Sequence, residues 1–468
     1  MPPKAGAPRA HQLAALQGLY HERLTAKPLG DLLESLEKRS DLGAPQKALL
    51  RNLRWERDRA VKVPGRLVKE LAEKQSLSVE AWRGARARKD YSAFRPHLEA
   101  LLKLKREQAD ALGHDGERYD ALLEGYEPAM RVARLAPLLE KLRGRLVPLV
   151  KAIVDSGKKP VNPLAGRSFD TGKQWDFTLR LMRDMGFDLE AGRQDKSTHP
   201  FTGGGGHPFD VRLTTRLVAD NPLSGFMSTI HECGHGLYEQ GFDPAHARTF
   251  LAQAPSFGLH ESQSRFWENV IGRSRSFWAF YLPVLRALFP KELDGVGFDA
   301  FWTHLNLVEP SPVRVDADEV TYNLHVLVRF ELELALMRGQ LQAKDLPEAW
   351  NAKMKDFLGL VPKDDTEGVM QDIHWAWGEF GYFPTYTIGN LYSAMWLARL
   401  EKDVPGVWEA VAKGELKVVL DWLRAKIHRQ GYLYSAEDLV EKVTGSRLTE
   451  EPFMDYLWTK YRPLYGLA

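Results

Sequence analysis

A single cysteine, Cys233, in a chain of 468 residues excludes an intramolecular disulfide framework. No apolar run reaches the roughly eighteen residues that a bilayer span needs, so nothing here is expected to cross a membrane. A surplus of either charge is also missing. Lys plus Arg total 64 against 62 Asp plus Glu, for a formal net charge of +2, which gives no reason to expect nucleic acid as a partner. The basic clusters at 51–62 and 83–89 are interrupted or soon followed by acids and read as solvated helix faces. No serine-rich linker, low-complexity tract or heptad stretch divides the chain. The length would allow two or three domains, yet the sequence reads as one unit over 1–468. Met1 to Arg9 lack the apolar core of a signal peptide and read as a short disordered lead, so the expected location is the cytoplasm.

What the chain has in quantity is helix-period patterning. Amphipathic helices are expected at 13–24, 29–38, 44–62, 67–75, 91–112 and 130–155. The pattern changes at 209–218, where Val211, Leu213, Thr215 and Leu217 alternate with Asp210, Arg212, Thr214 and Arg216. That is strand periodicity, and an exposed strand edge can hydrogen-bond an extended peptide. The expected fold is mainly α, with a small β-sheet. The glycine tract Gly203–Gly206 lacks the Gly-Lys-Ser/Thr ending of a phosphate loop and reads as a hinge or tight loop.

The chemistry is concentrated in His231-Glu232-Cys233-Gly234-His235. Histidines four apart on a helix lie about 40° from each other and one turn up, so both imidazoles can reach one ion. Glu232, about 100° round from His231, can lean over an open coordination position and take a proton from water there. This is the HExxH arrangement of zinc hydrolases. Asn221 and Pro222 supply an N-cap and a proline at the first helical position, and Gly241 supplies a stop. Phe226, Ile230, Cys233 and Leu237 form one apolar stripe, with His231, His235 and Tyr238 on the adjoining face. Cys233 therefore reads as a small core residue rather than a ligand. A catalytic zinc site needs a third protein ligand. A second helix following the breaks at Gly241 and Pro255 offers Glu261, with Glu268 and His260 as competitors. Glu268 could instead accept a histidine N–H. Spacing does not choose among them.

His231-Glu232-x-x-His235 followed by His260-Glu261-Ser262-Gln263-Ser264 resembles the carboxypeptidase Taq family, thermostable metallocarboxypeptidases of bacteria and archaea. Further motifs of that family follow the same order: His207-Pro208-Phe209, Asp210-x-Arg212-x-Thr214, Val313-Arg314-x-x-Ala317-Asp318 and Gly368-x-x-Gln371-Asp372-x-His374-Trp375. Only the third departs from the family pattern, with valine for isoleucine. The resemblance implies that Glu261 completes the metal site with His231 and His235. It implies one zinc per chain, with cobalt able to replace it, and a homodimer. It also implies a deep groove, with helices from about 10 to 195 as one wall and about 196–468 as the catalytic part.

Peptide hydrolysis further needs a donor for the developing oxyanion and a proton for the leaving amine. Glu232 can pass its proton on. By similarity to the related helical zinc peptidases of the oligopeptidase and angiotensin-converting types, His374 and Tyr382 or Tyr386 are assigned to the substrate carbonyl. Removing a C-terminal residue also needs a cation for the free carboxylate, and arginine's planar fork fits it. Arg314 is favoured over Arg212 because its motif is particular to this family. Either could instead pair with the nearby Asp318 or Asp210. His207 is assigned with them to substrate binding. The expected activity is release of single C-terminal residues from peptides, with broad specificity. An open groove cutting internal bonds, as in an oligopeptidase, is the alternative. A non-catalytic zinc-stabilised interaction protein is disfavoured, because a purely structural site does not require the base Glu232.

Overall fold

The computed structural model describes residues 6–204 and 206–467. Met1–Ala5 of the expected lead, and Gly205 of the glycine tract, lie outside the described residues. From Gly6 the chain is already helical, so Gly6–Arg9 belong to the first helix, Gly6–Thr25, rather than to a disordered lead.

The molecule is mainly helical, with one small sheet among the described residues. Helices occupy Lys27–Glu37, Ala44–Lys62, Gly65–Arg88, Tyr91–Leu112 and Val132–Asp155, close to where periodicity places them. The fourth runs well past its expected end at residue 75, taking in Gly84, and Lys89 closes it in the left-handed conformation at φ 58°. The short helix Arg118–Leu123 is too brief to leave a periodic signal. No helix among the described residues is long and apolar enough to cross a membrane.

Two helices near the middle, Tyr322–Arg338 and Pro384–Asp403, are buried nearly all round. Such helices sit inside a core rather than on its surface. The continuous apolar core that encloses them draws residues from Ala85 to Tyr465. Three helices meet at its centre: the histidine helix Pro222–Glu239, the glutamate helix Phe257–Arg265, and Pro384–Asp403. Glycines make this approach possible. A Cβ at Gly234 would stand 2.7 Å from Ser264 Cα and 2.8 Å from Gln263 O. A Cβ at Gly389 would stand 2.7 Å from Glu261 Cγ and 3.1 Å from Gly258 O. The backbone carrying Glu261 is thus pressed against both neighbours.

The sheet has the order β1-β3-β2, with β1 Gly192–Lys196, β2 Thr202–Gly204 and β3 Val211–Thr215. β1 runs parallel to β3 and β2 antiparallel to it, with Thr202 opposite Leu213. The strand expected at 209–218 is therefore shorter than its alternation, and central. β1 and β2 are the two edges, and the Thr-Gly-Gly sequence of β2 carries no strand signal. One face of β3 rests on the histidine helix: Thr229 Oγ1 donates to Thr215 Oγ1 at 2.9 Å, and Leu213 packs against Gly236.

Gly234→Ala should push the glutamate helix away from the histidine helix, because the atoms it meets are backbone. Overpacking of this kind costs about 1–3 kcal/mol. Thermal and chemical denaturation should show that loss, and an unchanged stability would contradict the packing described.

Candidate active site

The histidine helix starts where Asn221 Oδ1 accepts the Ser224 N–H at 3.3 Å, with Pro222 at the first position. Phe226, Ile230, Cys233 and Leu237 are fully buried on its core face. Burial pushes the Cys233 thiol well up from its ordinary value, so it stays protonated as a small apolar group. The other face carries His231 and His235 one turn apart, with ring centroids 4.9 Å from each other. The glutamate helix begins at Ser256, whose Oγ accepts the Leu259 N–H at 3.0 Å, and delivers Glu261 to the pair. Glu261 Oε2 lies 3.3 Å from His235 Nε2 and 3.8 Å from His231 Nε2. One ligand atom from each of the three residues falls within 4.8 Å of the others.

These atoms fit a divalent ion. Tetrahedral ligands at zinc bonding distances stand about 3.4 Å apart, which matches the separations from Glu261 to the two imidazoles. The outward atoms of all three side chains are already engaged. His231 Nδ1 donates to Glu268 Oε2 at 2.8 Å, so Glu268 supports a ligand from behind. His235 Nδ1 lies 2.7 Å from His260 Nδ1, and His260 Nε2 lies 2.7 Å from Glu239 Oε1. His260 is thus a link between His235 and a carboxylate. Arg265 Nε donates to Glu261 Oε1 at 2.7 Å, leaving Oε2 for the imidazole side.

Electrostatics keeps the carboxylates charged. Burial works against ionising Glu261, yet Arg265, then His231 and His235, hold its carboxyl well below the usual range. Burial likewise opposes ionisation of Glu268, but Arg265, His231 and Arg273 bring it down to about 2. Arg265 reaches both, donating to Glu268 Oε2 at 3.2 Å from Nη1.

Glu232 is buried beside this trio, and its Oε2 accepts from the Thr202 hydroxyl at 2.7 Å. Thr202 opens β2, so this edge strand is tied to the carboxylate. The opposite wall comes from the segment after Asp372. His374 Nε2 stands 3.3 Å from the Tyr386 hydroxyl, and the Tyr382 ring packs 5.3 Å from both. Burial lowers His374 to about 3, overcoming the opposing Asp372, with Arg314, Arg329 and His199 adding to the effect. The imidazole is therefore neutral. Burial raises the Tyr382 phenol to about 12 and Tyr386 well above its ordinary value.

Arg314 lies within this wall, 5.0 Å over the Tyr386 ring. It does not pair with Asp318: Nη2 donates to Asp372 Oδ1 at 2.8 Å and Nη1 to the Tyr322 hydroxyl at 2.8 Å. Asp318 instead accepts from Thr321 and Glu309. Arg212 lies on the face of β3 opposite the histidine helix, exposed and paired with Asp210 through contacts of 2.7 and 2.9 Å. His207 sits in the turn before β3, its Nδ1 accepting the Phe209 N–H at 3.2 Å. The structure thus gathers His231, Glu232, His235, Glu261, Arg314, His374, Tyr382 and Tyr386, and leaves Arg212 and His207 with local partners.

Several participants escaped the motif reading. Arg265 could have been found, four residues after Glu261 on the same helix. His199 stands in a second His-Pro-Phe tripeptide, 199–201, and is near enough to His374 to influence its titration. Thr202 and Glu239 carry no sequence signal. Nor does Glu333, fully buried on Tyr322–Arg338, which accepts from Trp375 Nε1 at 2.7 Å, Gly381 N at 3.0 Å and the Tyr119 hydroxyl at 2.7 Å. It fastens the segment between His374 and Tyr382. Burial, outweighing these donors, raises its carboxyl to about 7.

Comparison with known proteins gives a consistent picture. The family model described as carboxypeptidase Taq (M32) metallopeptidase matches residues 1–461. Thermostable carboxypeptidase 1 of Thermus thermophilus is 45% identical over 478 residues, covering 100% of this chain and 93% of the relative. The namesake from Pyrococcus furiosus is 38% identical, over 98% of this chain and 92% of its own length. The crystal structure of the M32 carboxypeptidase from Deinococcus radiodurans superposes with a TM-score of 0.96 at 38% identity, covering 100% of this chain and 94% of that one.

Two outcomes follow from the geometry. Glu239→Ala should release His260 and lower the affinity of the site for a divalent ion by about 10–100-fold in chelator competition, with the helical content unchanged; unaltered affinity would contradict the link. Glu333, raised in the fold from 4.5 to about 7, gives stability that is full below pH 4.5 and lost as pH rises through 7. The non-titrating Glu333→Gln should therefore gain about 3 kcal/mol on the wild type over that interval in denaturant titrations. A pH-independent difference would contradict it.

Proposed function

The chain belongs to the carboxypeptidase Taq (M32) metallopeptidase family, and from that premise we propose that it is a zinc carboxypeptidase releasing single C-terminal amino acids from peptides with broad specificity. The observation that carries this reading is the convergence of His231, His235 and Glu261, with Glu232 beside them. Two imidazoles and one carboxylate suit zinc, with cobalt as an alternative. Bound there, the ion supplies Lewis acidity for the scissile carbonyl and lowers the pKa of a water toward neutrality.

The remaining work falls to the chain's own side chains. Glu232, held by Thr202, takes the proton of the attacking water and returns it to the leaving amine. Tyr386 and Tyr382 keep their phenolic protons at neutral pH and donate to the substrate carbonyl oxygen as charge develops. The neutral His374 adds an N–H donor on the same side. Arg314 takes the free carboxylate. Asp372 and Tyr322 hold its guanidinium in place over the Tyr386 ring. Arg212, on β3, and His207, in the turn before it, bind the peptide further from the scissile bond. The free edge of β2 pairs with its extended backbone.

The whole chain, 1–468, acts as one domain in this reading. The N-terminal helices form a groove wall that reaches the site through Tyr126 and Gln75, the latter donating to Trp377 O at 2.8 Å. A cytoplasmic homodimer completes the proposal, on family resemblance.

An N-terminally blocked peptide, incubated and weighed, should give a ladder shortened one residue at a time from its C-terminus; internal fragments would contradict it. Glu232→Gln should lower turnover by about 10²–10⁴-fold with metal content unchanged by mass spectrometry. Retained activity would remove Glu232 as the base.

A further inference from the structure

Phe257 is the first residue of the glutamate helix, directly after its N-cap Ser256. It precedes Glu261 by four positions, so the two share a helix face about 6 Å apart along the axis. Unlike its buried neighbours Gly258 and Leu259, its ring is 49% exposed.

Its surroundings are specific. The ring packs edge-to-face against Tyr126 and against Tyr382, with centroids 5.6 Å away in both cases, and those two tyrosines stand 5.2 Å from each other. The three rings make a corner. Tyr382 continues it to Tyr386 and His374, each 5.3 Å on, so the aromatic wall is unbroken from Phe257 to the groups assigned to the substrate carbonyl. The corner is also fixed. The Phe257 N–H donates to Tyr126 O at 3.0 Å, and the Tyr126 hydroxyl donates to Glu379. Glu379 in turn interacts electrostatically with the buried Lys105.

We propose that Phe257, with Tyr126 and Tyr382, receives the side chain of a substrate residue flanking the scissile bond and weights an otherwise broad specificity toward apolar and aromatic side chains. This rests on the reading of the site as a carboxypeptidase centre. Rings in edge-to-face array offer a further ring or branched aliphatic chain favourable contacts, and offer a carboxylate none.

The test uses two series of N-blocked dipeptides on the full-length, metal-loaded enzyme. One varies the last residue among Phe, Leu, Gly, Lys and Asp, and the other varies the penultimate residue likewise. Phe257→Ala should reduce the ratio of kcat/KM for Phe or Leu over Gly by about tenfold in one series, chiefly through KM, and Phe257→Leu should restore most of it. Metal content should match the wild type. A ratio unchanged in both series overturns the proposal. A wild-type preference for Lys that Phe257→Ala abolishes also overturns it, since the corner would then receive a cation. If the wild type cleaves neither series, the carboxypeptidase reading itself fails and takes the proposal with it.

Discussion

The site depends on one buried arginine. Arg265 is held between two carboxylates that burial alone would protonate, and over the Tyr322 ring at 4.3 Å. Without it Glu261 and Glu268 would lose the largest attraction that offsets their burial and keeps both ionised. With it, both remain charged and acquire different tasks. Glu261 turns one oxygen toward the imidazoles, and Glu268 orients His231 from behind. Arg273, the next cation along, reaches the remaining oxygen of Glu268 at 3.5 Å.

The packing carries that arrangement to the reacting groups. Gly234 and Gly389 let the glutamate helix lie against its neighbours on both sides, so Glu261 has little room to take another rotamer. The π-helix Phe266–Ile271 follows directly, and Glu268, seven residues after Glu261, lies on the same side of the chain about two turns on. Across the site, Asp372 pairs with both Arg314 and the fully buried Arg329. Glu333 and Asp372 together fasten the segment that bears His374 and Tyr382, which has almost no regular structure of its own. Irregular backbone placed by buried polar anchors is a common way to hold catalytic donors.

Much of this was legible in the residues. The helices of the first third followed from periodicity, because amphipathic faces repeat whatever they pack against. His231, Glu232 and His235 announced themselves because their spacing is a property of one helix. Glu261 was only one of three choices until family resemblance favoured it, since a contact between helices leaves no spacing to read. The sheet was half visible. β3 alternates because one face is buried, whereas β1 and β2 are short, polar or glycine-rich and take their conformation from β3. Arg265, Thr202, Glu239 and Glu333 act through distant partners, and their roles exist only once the chain is folded. His-Pro-Phe occurs twice, at 199–201 and at 207–209, and the tripeptide alone does not say which copy approaches the site.

The central claim is that one ion is held by His231, His235 and Glu261. Anomalous diffraction at the zinc absorption edge, on crystals of the metal-loaded protein, tests it most directly. The account predicts one strong peak within bonding distance of both Nε2 atoms and of Glu261 Oε2, with Glu268 and His260 outside that distance. A peak bonded to Glu268 or His260 in place of Glu261, or one away from the histidine pair, would contradict it.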